Sequence, residues 1–154
     1  PRRAHAPARP RARADGAGVA ARAAPLADRF PSPRAQAAPL PQRPQAYLDY
    51  LAQWFAQPDF HGCLFINAAA EYPQADDAIH RQAAAHKARL RSWLQQCCTD
   101  AGLAEPVLRA QQLFLLGEGL TVAAQVSGVD AVLLQAARQQ VAAWPYQDKA
   151  VPAS

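Results

Sequence analysis

Between Leu113 and Val126 the chain reads Leu-Phe-Leu-Leu-Gly-Glu-Gly-Leu-Thr-Val-Ala-Ala-Gln-Val, which is apolar nearly all the way round a helix. A helix without a polar face has to be covered on both sides. In a chain of 154 residues one side can face its own domain, and the sequence predicts that the other faces an identical second subunit. A bilayer does not account for it, because a membrane span takes about 20 consecutive apolar residues. No stretch of this chain approaches that, so no membrane partner is expected.

That helix is the fourth of five expected from residue 45 onward, where Ala, Leu and Gln dominate and β-branched alternation is absent. The first runs roughly 45–57 on a stripe of Tyr47, Leu48, Leu51, Trp54 and Phe55, and Pro58 stops it. The second runs roughly 61–71, is apolar on most sides and so should be buried, and ends at Pro73. The third runs roughly 75–99. Its stripe is Ile79, Ala83, His86, Leu90, Trp93 and Cys97, and Arg81, Arg89, Arg91 and Gln96 lie opposite. Asp76 and Asp77 sit at its N-terminus, where the helix dipole favours acids, and Gly102 lies just past its end.

The fourth helix runs roughly 105–127 with Pro106 in its first turn, where proline is tolerated. The fifth runs roughly 130–144, capped by Asp130 and striped by Leu134, Ala137, Val141 and Trp144. Ser127-Gly128-Val129 joins these two as an antiparallel hairpin. Two such hairpins from two subunits make a four-helix bundle. The residues expected at that seam are Leu116, Leu120, Ala123, Leu134, Ala137 and Val141. The expected fold is therefore an all-α helical bundle over residues 45–146 that forms a homodimer.

Residues 1–44 are of another kind. They hold 14 Ala, 9 Arg and 9 Pro, and their only larger apolar residues are Val19, Leu26, Phe30 and Leu40. Such a segment cannot bury enough surface to offset its ordering entropy, so it is expected to be disordered. Nine Arg against two Asp give it a net charge of +7, whereas residues 45–154 carry −3. The basic excess thus belongs to the tail and says nothing about partners of the folded part. The tail reads as a solvated extension, as an arm for phosphate groups, or as an organelle-targeting peptide. Its Ala, Arg, Pro and Gly all have GC-rich codons, so translation in the wrong frame of a GC-rich gene is a fourth reading.

Three cysteines, Cys63 and the adjacent Cys97 and Cys98, cannot form a full disulfide set. They point to a reducing, cytoplasmic setting. No Gly-rich phosphate loop, GxSxG, HExxH or CxxC is present, so neither an enzyme nor a metal or other cofactor is expected. His80 and His86 lie six residues apart, about 240° around a helix, and do not share a face.

Phe60-His61-Gly62-Cys63-Leu64-Phe65-Ile66-Asn67-Ala68-Ala69-Ala70-Glu71-Tyr72-Pro73 resembles the start of the regulatory domain in one branch of the TetR/AcrR-type transcriptional repressors. So does His86-Lys87 followed by Leu90 and Trp93-Leu94. A third match runs from Gln112-Leu113 through Leu116-Gly117-Glu118-Gly119 to Thr121-Val122-Ala123-Ala124-Gln125. The resemblance covers about residues 46–144. It implies a helical domain that binds a small organic effector and dimerises, paired in the family with an N-terminal helix-turn-helix head. Residues 1–44 contain no periodic apolar core, Gly-containing turn or recognition helix. DNA is therefore an expected partner only through a head outside this chain.

The candidate ligand-binding residues are Phe65, Asn67, His86, Trp93, Phe114, Glu118 and Thr121. His86 lies on an apolar stripe and reads either as a core histidine satisfied by a carbonyl or as a polar anchor in an apolar pocket. Glu118 stands between two glycines, each costing roughly 1 kcal/mol of helix stability. That pattern reads as close helix–helix contact at the dimer seam or as the approach of a ligand. Asn67 needs a hydrogen-bond partner, from a helix end or a ligand. Phe65, Trp93, Phe114 and Thr121 line the same cavity or pack in the core. Cys97 and Cys98 read as buried small hydrophobes, or as redox-sensing thiols if Cys98 is exposed near Arg89 and Arg91. The other functional class open to the chain is a helical dimerisation module that binds no ligand.

Overall fold

A computed structural model of the chain describes residues 36–147. After a 3-10 turn at Leu40–Gln42 come five helices: α1 (Arg43–Phe55), α2 (Leu64–Glu71), α3 (Ala78–Asp100), α4 (Pro106–Ser127) and α5 (Ala131–Ala142). No strand occurs among the described residues, only an isolated bridge between Leu103 and Tyr146. The all-α expectation holds. What was expected of residues 1–35 lies outside the described residues.

The expected boundary at residue 44 falls inside α1. Arg43 donates to Asp100 at 3.2 Å and to the Gln36 carbonyl at 3.1 Å, and Pro44 is buried. Proline within the first helical turn costs no intrahelical hydrogen bond, so the chain enters α1 before the sequence turns visibly periodic. The second helix starts at Leu64 rather than at residue 61. Gly62 holds φ +86°, a left-handed conformation that ends one element before the next begins.

Caps set the other ends. Asp77 accepts from Ile79 N at 2.7 Å, and Asp130 accepts from Val132 N at 2.7 Å and Leu133 N at 3.3 Å. These satisfy amide donors that a helix start leaves open. Beyond α5 the chain turns back on the α3–α4 connection, where Ala104 N donates to the Pro145 carbonyl at 2.9 Å and Gln147 N to the Gly102 carbonyl at 2.8 Å.

The core lies where α1 crosses α3, α4 and α5, with α2 packed chiefly on α3. Tyr47, Leu48, Leu51 and Phe55 of α1 meet Leu90, Leu94 and Cys98 of α3, Leu113, Leu120 and Ala124 of α4, and Leu134, Ala137 and Val141 of α5. On α3 the buried face swings from His86 and Leu90 to Leu94, Cys97 and Cys98, and Trp93 is left half-buried at its edge. That shift follows from the neighbours. Only the C-terminal half of α3 joins the main core, while its N-terminal half is covered by α2.

Helix α4 divides as its composition requires. Ala110, Leu113, Gly117, Leu120, Thr121 and Ala124 face inward, while Leu115, Val122 and Val126 are 68%, 44% and 78% exposed. Leu133 and Val132 of α5 extend the same outer face. Between the two helices runs an open apolar groove whose walls include Leu115, Leu116, Gly119, Ala123, Leu133 and Ala136. Of the residues expected at a subunit seam, Leu116, Leu120, Ala123 and Ala137 border this groove. Leu134 and Val141 do not, and Leu120 and Ala137, though at its edge, are buried with them in the protomer's own core. The stripe of α5 is spent internally, and its outward side carries Leu133, Ala136 and Gln140 instead.

Candidate functional site

A cavity of about 490 Å³ opens between α1, α2, α3, α4 and the connection that leads into α2. Helix α1 supplies Tyr47, Tyr50, Leu51 and Trp54, four residues spaced to share one side of a helix. The connection supplies Asp59, His61, Gly62 and Cys63, and α2 adds Phe65 and Asn67. From α3 come His86, Lys87 and Leu90, and from α4 Glu118 and Thr121.

Aromatic rings make up much of the wall. The imidazole of His86 lies flat on Phe65, with centroids 3.8 Å apart and planes 9° from parallel. Tyr50 and Trp54 stack at 6.5 Å and 13°. Trp54 also meets Phe60 edge-on at 5.0 Å, which ties the connection down on α1. Burial, reinforced by Lys87 and Arg89, lowers His86 to about 4, so the imidazole is neutral at physiological pH. Burial, reinforced by Glu118, raises the Tyr47 phenol and keeps it protonated.

The polar end is an ion pair. Lys87 Nζ donates to Glu118 Oε1 at 2.7 Å and to Cys63 Sγ at 3.6 Å. The two charged side chains are 20% and 26% exposed, so the pair is half-sheltered and opens on the cavity.

The two glycines flanking Glu118 have different reasons. A Cβ on Gly117 would land on the Tyr47 hydroxyl, with the ring carbon Cζ at 2.9 Å. The close approach is therefore internal, between α1 and α4. Gly119 has nothing near its missing Cβ and faces the open groove. Gly62 lies under the side chain of Gln125, which would have to move for any larger residue. Gln125 Nε2 donates to Asn67 Oδ1 at 3.0 Å, and Asn67 Nδ2 donates to the His61 carbonyl at 3.4 Å. Asn67 thus binds the loop and the end of α4 together.

The structure brings Phe65, Asn67, His86, Glu118 and Thr121 to one cavity. Thr121 Oγ1 already donates to the Gly117 carbonyl at 2.7 Å within α4. Trp93 and Phe114 do not line it. Trp93 meets Tyr47 edge-on at 6.1 Å, and Phe114 lies under the Arg91 guanidinium at 5.7 Å. Sequence reasoning did not place Tyr47, Trp54, Cys63 or Lys87 at the site. Tyr47 and Trp54 were visible only as members of a core stripe. The legible signal for Lys87 was a cation directly after a histidine on an apolar stripe.

Cys97 and Cys98 are fully buried, and burial pushes their thiols up to about 12 and about 11. Such thiols are the reverse of activated. Cys98 is not exposed, so the condition set for a redox role is not met. No cluster of His, Cys, Asp or Glu able to hold a metal occurs among the described residues, and no helix among them is long and apolar enough to cross a membrane.

No protein-family model matches the chain, and no curated protein matches it. Solved structures do. A TetR-family transcriptional regulator from Streptomyces coelicolor matches with a TM-score of 0.59 and 24% identity, over 82% of this chain and 62% of its own. A protein assigned as a TetR transcriptional regulator from Streptomyces avermitilis matches with a TM-score of 0.64 and 20% identity, over 82% of this chain and 72% of its own. The chain spans under two thirds of the length of the first. At these identities the likeness is one of fold, and it is to the family that the sequence resembles.

Proposed function

We infer that this chain is the effector-binding and dimerising part of a TetR-type transcriptional regulator. The observation that carries the reading is the cavity of about 490 Å³, which is lined by aromatic rings and one half-sheltered ion pair. Effector pockets of this kind are apolar chambers of ~300–1,000 Å³ with a few placed polar groups. The likeness to TetR-type regulators supports the assignment to transcription control. The effector is a small organic molecule. DNA is read by a helix-turn-helix head that is not among the described residues. The working unit is a homodimer joined through the outer face of α4 and α5, and its compartment is the cytoplasm.

The test is a thermal-shift screen against small organic compounds, with tryptophan emission as the second readout because Trp54 lines the cavity. A ligand at a hundred times its Kd stabilises the folded state by ~2.7 kcal/mol. The expected outcome is at least one compound that raises the melting temperature of the parent chain and loses that effect on Phe65→Ala. The second reading is a helical dimerisation module without ligand, which the exposed apolar face of α4 and α5 favours. A screen without a single stabilising compound decides for it.

A further inference from the structure

We propose that the cavity selects a neutral, flat aromatic molecule whose polar end carries a hydrogen-bond acceptor and a donor side by side, as a primary amide does, and that the Lys87–Glu118 pair reads that end. The inference deepens the effector reading and rests on it.

Shape comes from the walls. Phe65 stacked on His86, and Tyr50 stacked on Trp54, put aromatic rings of α1, α2 and α3 around one chamber. Aromatic rings gain from offset or edge-on contact with another aromatic ring, which favours an aromatic ligand.

Charge comes from the pair. Lys87 and Glu118 sit 2.7 Å apart and compensate each other. A ligand bearing a single charge near both is attracted by one and repelled by the other at similar distance, and these Coulomb terms largely cancel. What remains for an ionic ligand is the cost of leaving water, which is much larger for a charge than for an amide. His86 contributes no charge, since it is neutral. Asp59 lies exposed at the rim and adds repulsion for an anion.

Hydrogen-bonding capacity comes from what the pair leaves open. The second partner of the Lys87 ammonium is the Cys63 sulfur at 3.6 Å, a weak acceptor. Glu118 Oε2 accepts no hydrogen bond among the described residues. A ligand carbonyl oxygen is a better acceptor than the thiol, and a neighbouring N–H meets the open carboxylate oxygen. One neutral group thus satisfies both charges without separating them.

The experiment uses three probes that share one ring and differ only in charge: naphthalene carboxamide, naphthalene carboxylate and naphthylmethyl trimethylammonium. Each is titrated into the full chain by calorimetry, with tryptophan emission in parallel. The expected result is that the amide binds at least tenfold tighter than either ion, about 1.4 kcal/mol. Glu118→Gln leaves an uncompensated cation and should move the preference to the carboxylate by tenfold or more. Lys87→Met should move it to the ammonium probe. Tightest binding of either ion to the parent chain overturns the proposal, and this arm needs no variant to fold. An order of affinities unchanged in two folded variants, checked by circular dichroism, also overturns it. If the amide fails to bind while other compounds from the thermal screen do, the proposal falls and the effector reading stands. If nothing binds at all, both fall.

Discussion

His86 shows how one residue reports on the whole site. Its unfolded value is 6.5 and its folded value about 4. Between these the unfolded chain binds a proton that the folded chain does not, so stability rises with pH across that window. The contribution is complete above about pH 6.5 and lost as pH falls toward 4. Each tenfold difference in proton affinity is worth ~1.4 kcal/mol, which puts the loss on the order of 3 kcal/mol. Chemical denaturation between pH 7 and pH 4 should show it, and His86→Gln should flatten the difference between those two pH values relative to the parent. Gly117 and Gly119 make the second test at this scale. Gly117→Ala drives a methyl into the Tyr47 hydroxyl and should cost about 1–3 kcal/mol. Gly119→Ala meets open space and should gain up to about 1 kcal/mol of helix stability, read from urea midpoints on dilute protein. From the sequence the two glycines were indistinguishable. Only the placement of α1 against α4 separates them.

At the scale of the element, α4 carries the most consequence. Its inward side meets α1 and α3, and its outward side remains apolar in the protomer. The double substitution Leu115→Glu with Val126→Glu touches residues that are 68% and 78% exposed, so the protomer should stay folded. On the proposed homodimer, light scattering should give half the mass of the parent. An unchanged mass would count against this face as the seam of that dimer. Leu120→Glu is a poorer probe, because Leu120 is 8% exposed and belongs to the core. The fifth helix makes the same point about register. Its stripe of Leu134, Ala137 and Val141 is plain in the sequence, but periodicity does not say whether a stripe meets its own domain or a neighbour. In the structure it meets α1 and α4, and Leu133 and Ala136 are left outside.

For the whole molecule, the start of α1 is held by contacts far along the chain. Arg43 bonds to Asp100 at the far end of α3, and Pro44 is buried. A chain beginning at residue 45 loses both, together with the first turn of α1. It should be less stable than one beginning at residue 36 by about 1–2 kcal/mol. In a domain of this size that lowers the melting temperature by roughly 4–8 °C per kcal/mol, which calorimetry resolves.

Helix type, the number of helices among the described residues and the face of α1 were readable from residue spacing, because apolar side chains at three and four residues must share a side and must be covered; on α3 the spacing picked Trp93 where Leu94 and Cys98 are the buried residues. The cap at Asp130 was readable for an equally local reason, since a carboxylate within reach of unpaired amides bonds to them, whereas Asp77 was legible only as an acid that the helix dipole favours. The cavity was only half readable. His86, Asn67 and Glu118 stand out as polar groups in apolar runs, whereas Tyr47, Trp54 and Lys87 look like ordinary core or surface residues until α1 is laid across α3 and α4. Which aromatic lines a chamber and which merely packs depends on how helices cross. Contacts between residues dozens of positions apart set that crossing, and local periodicity carries no record of them.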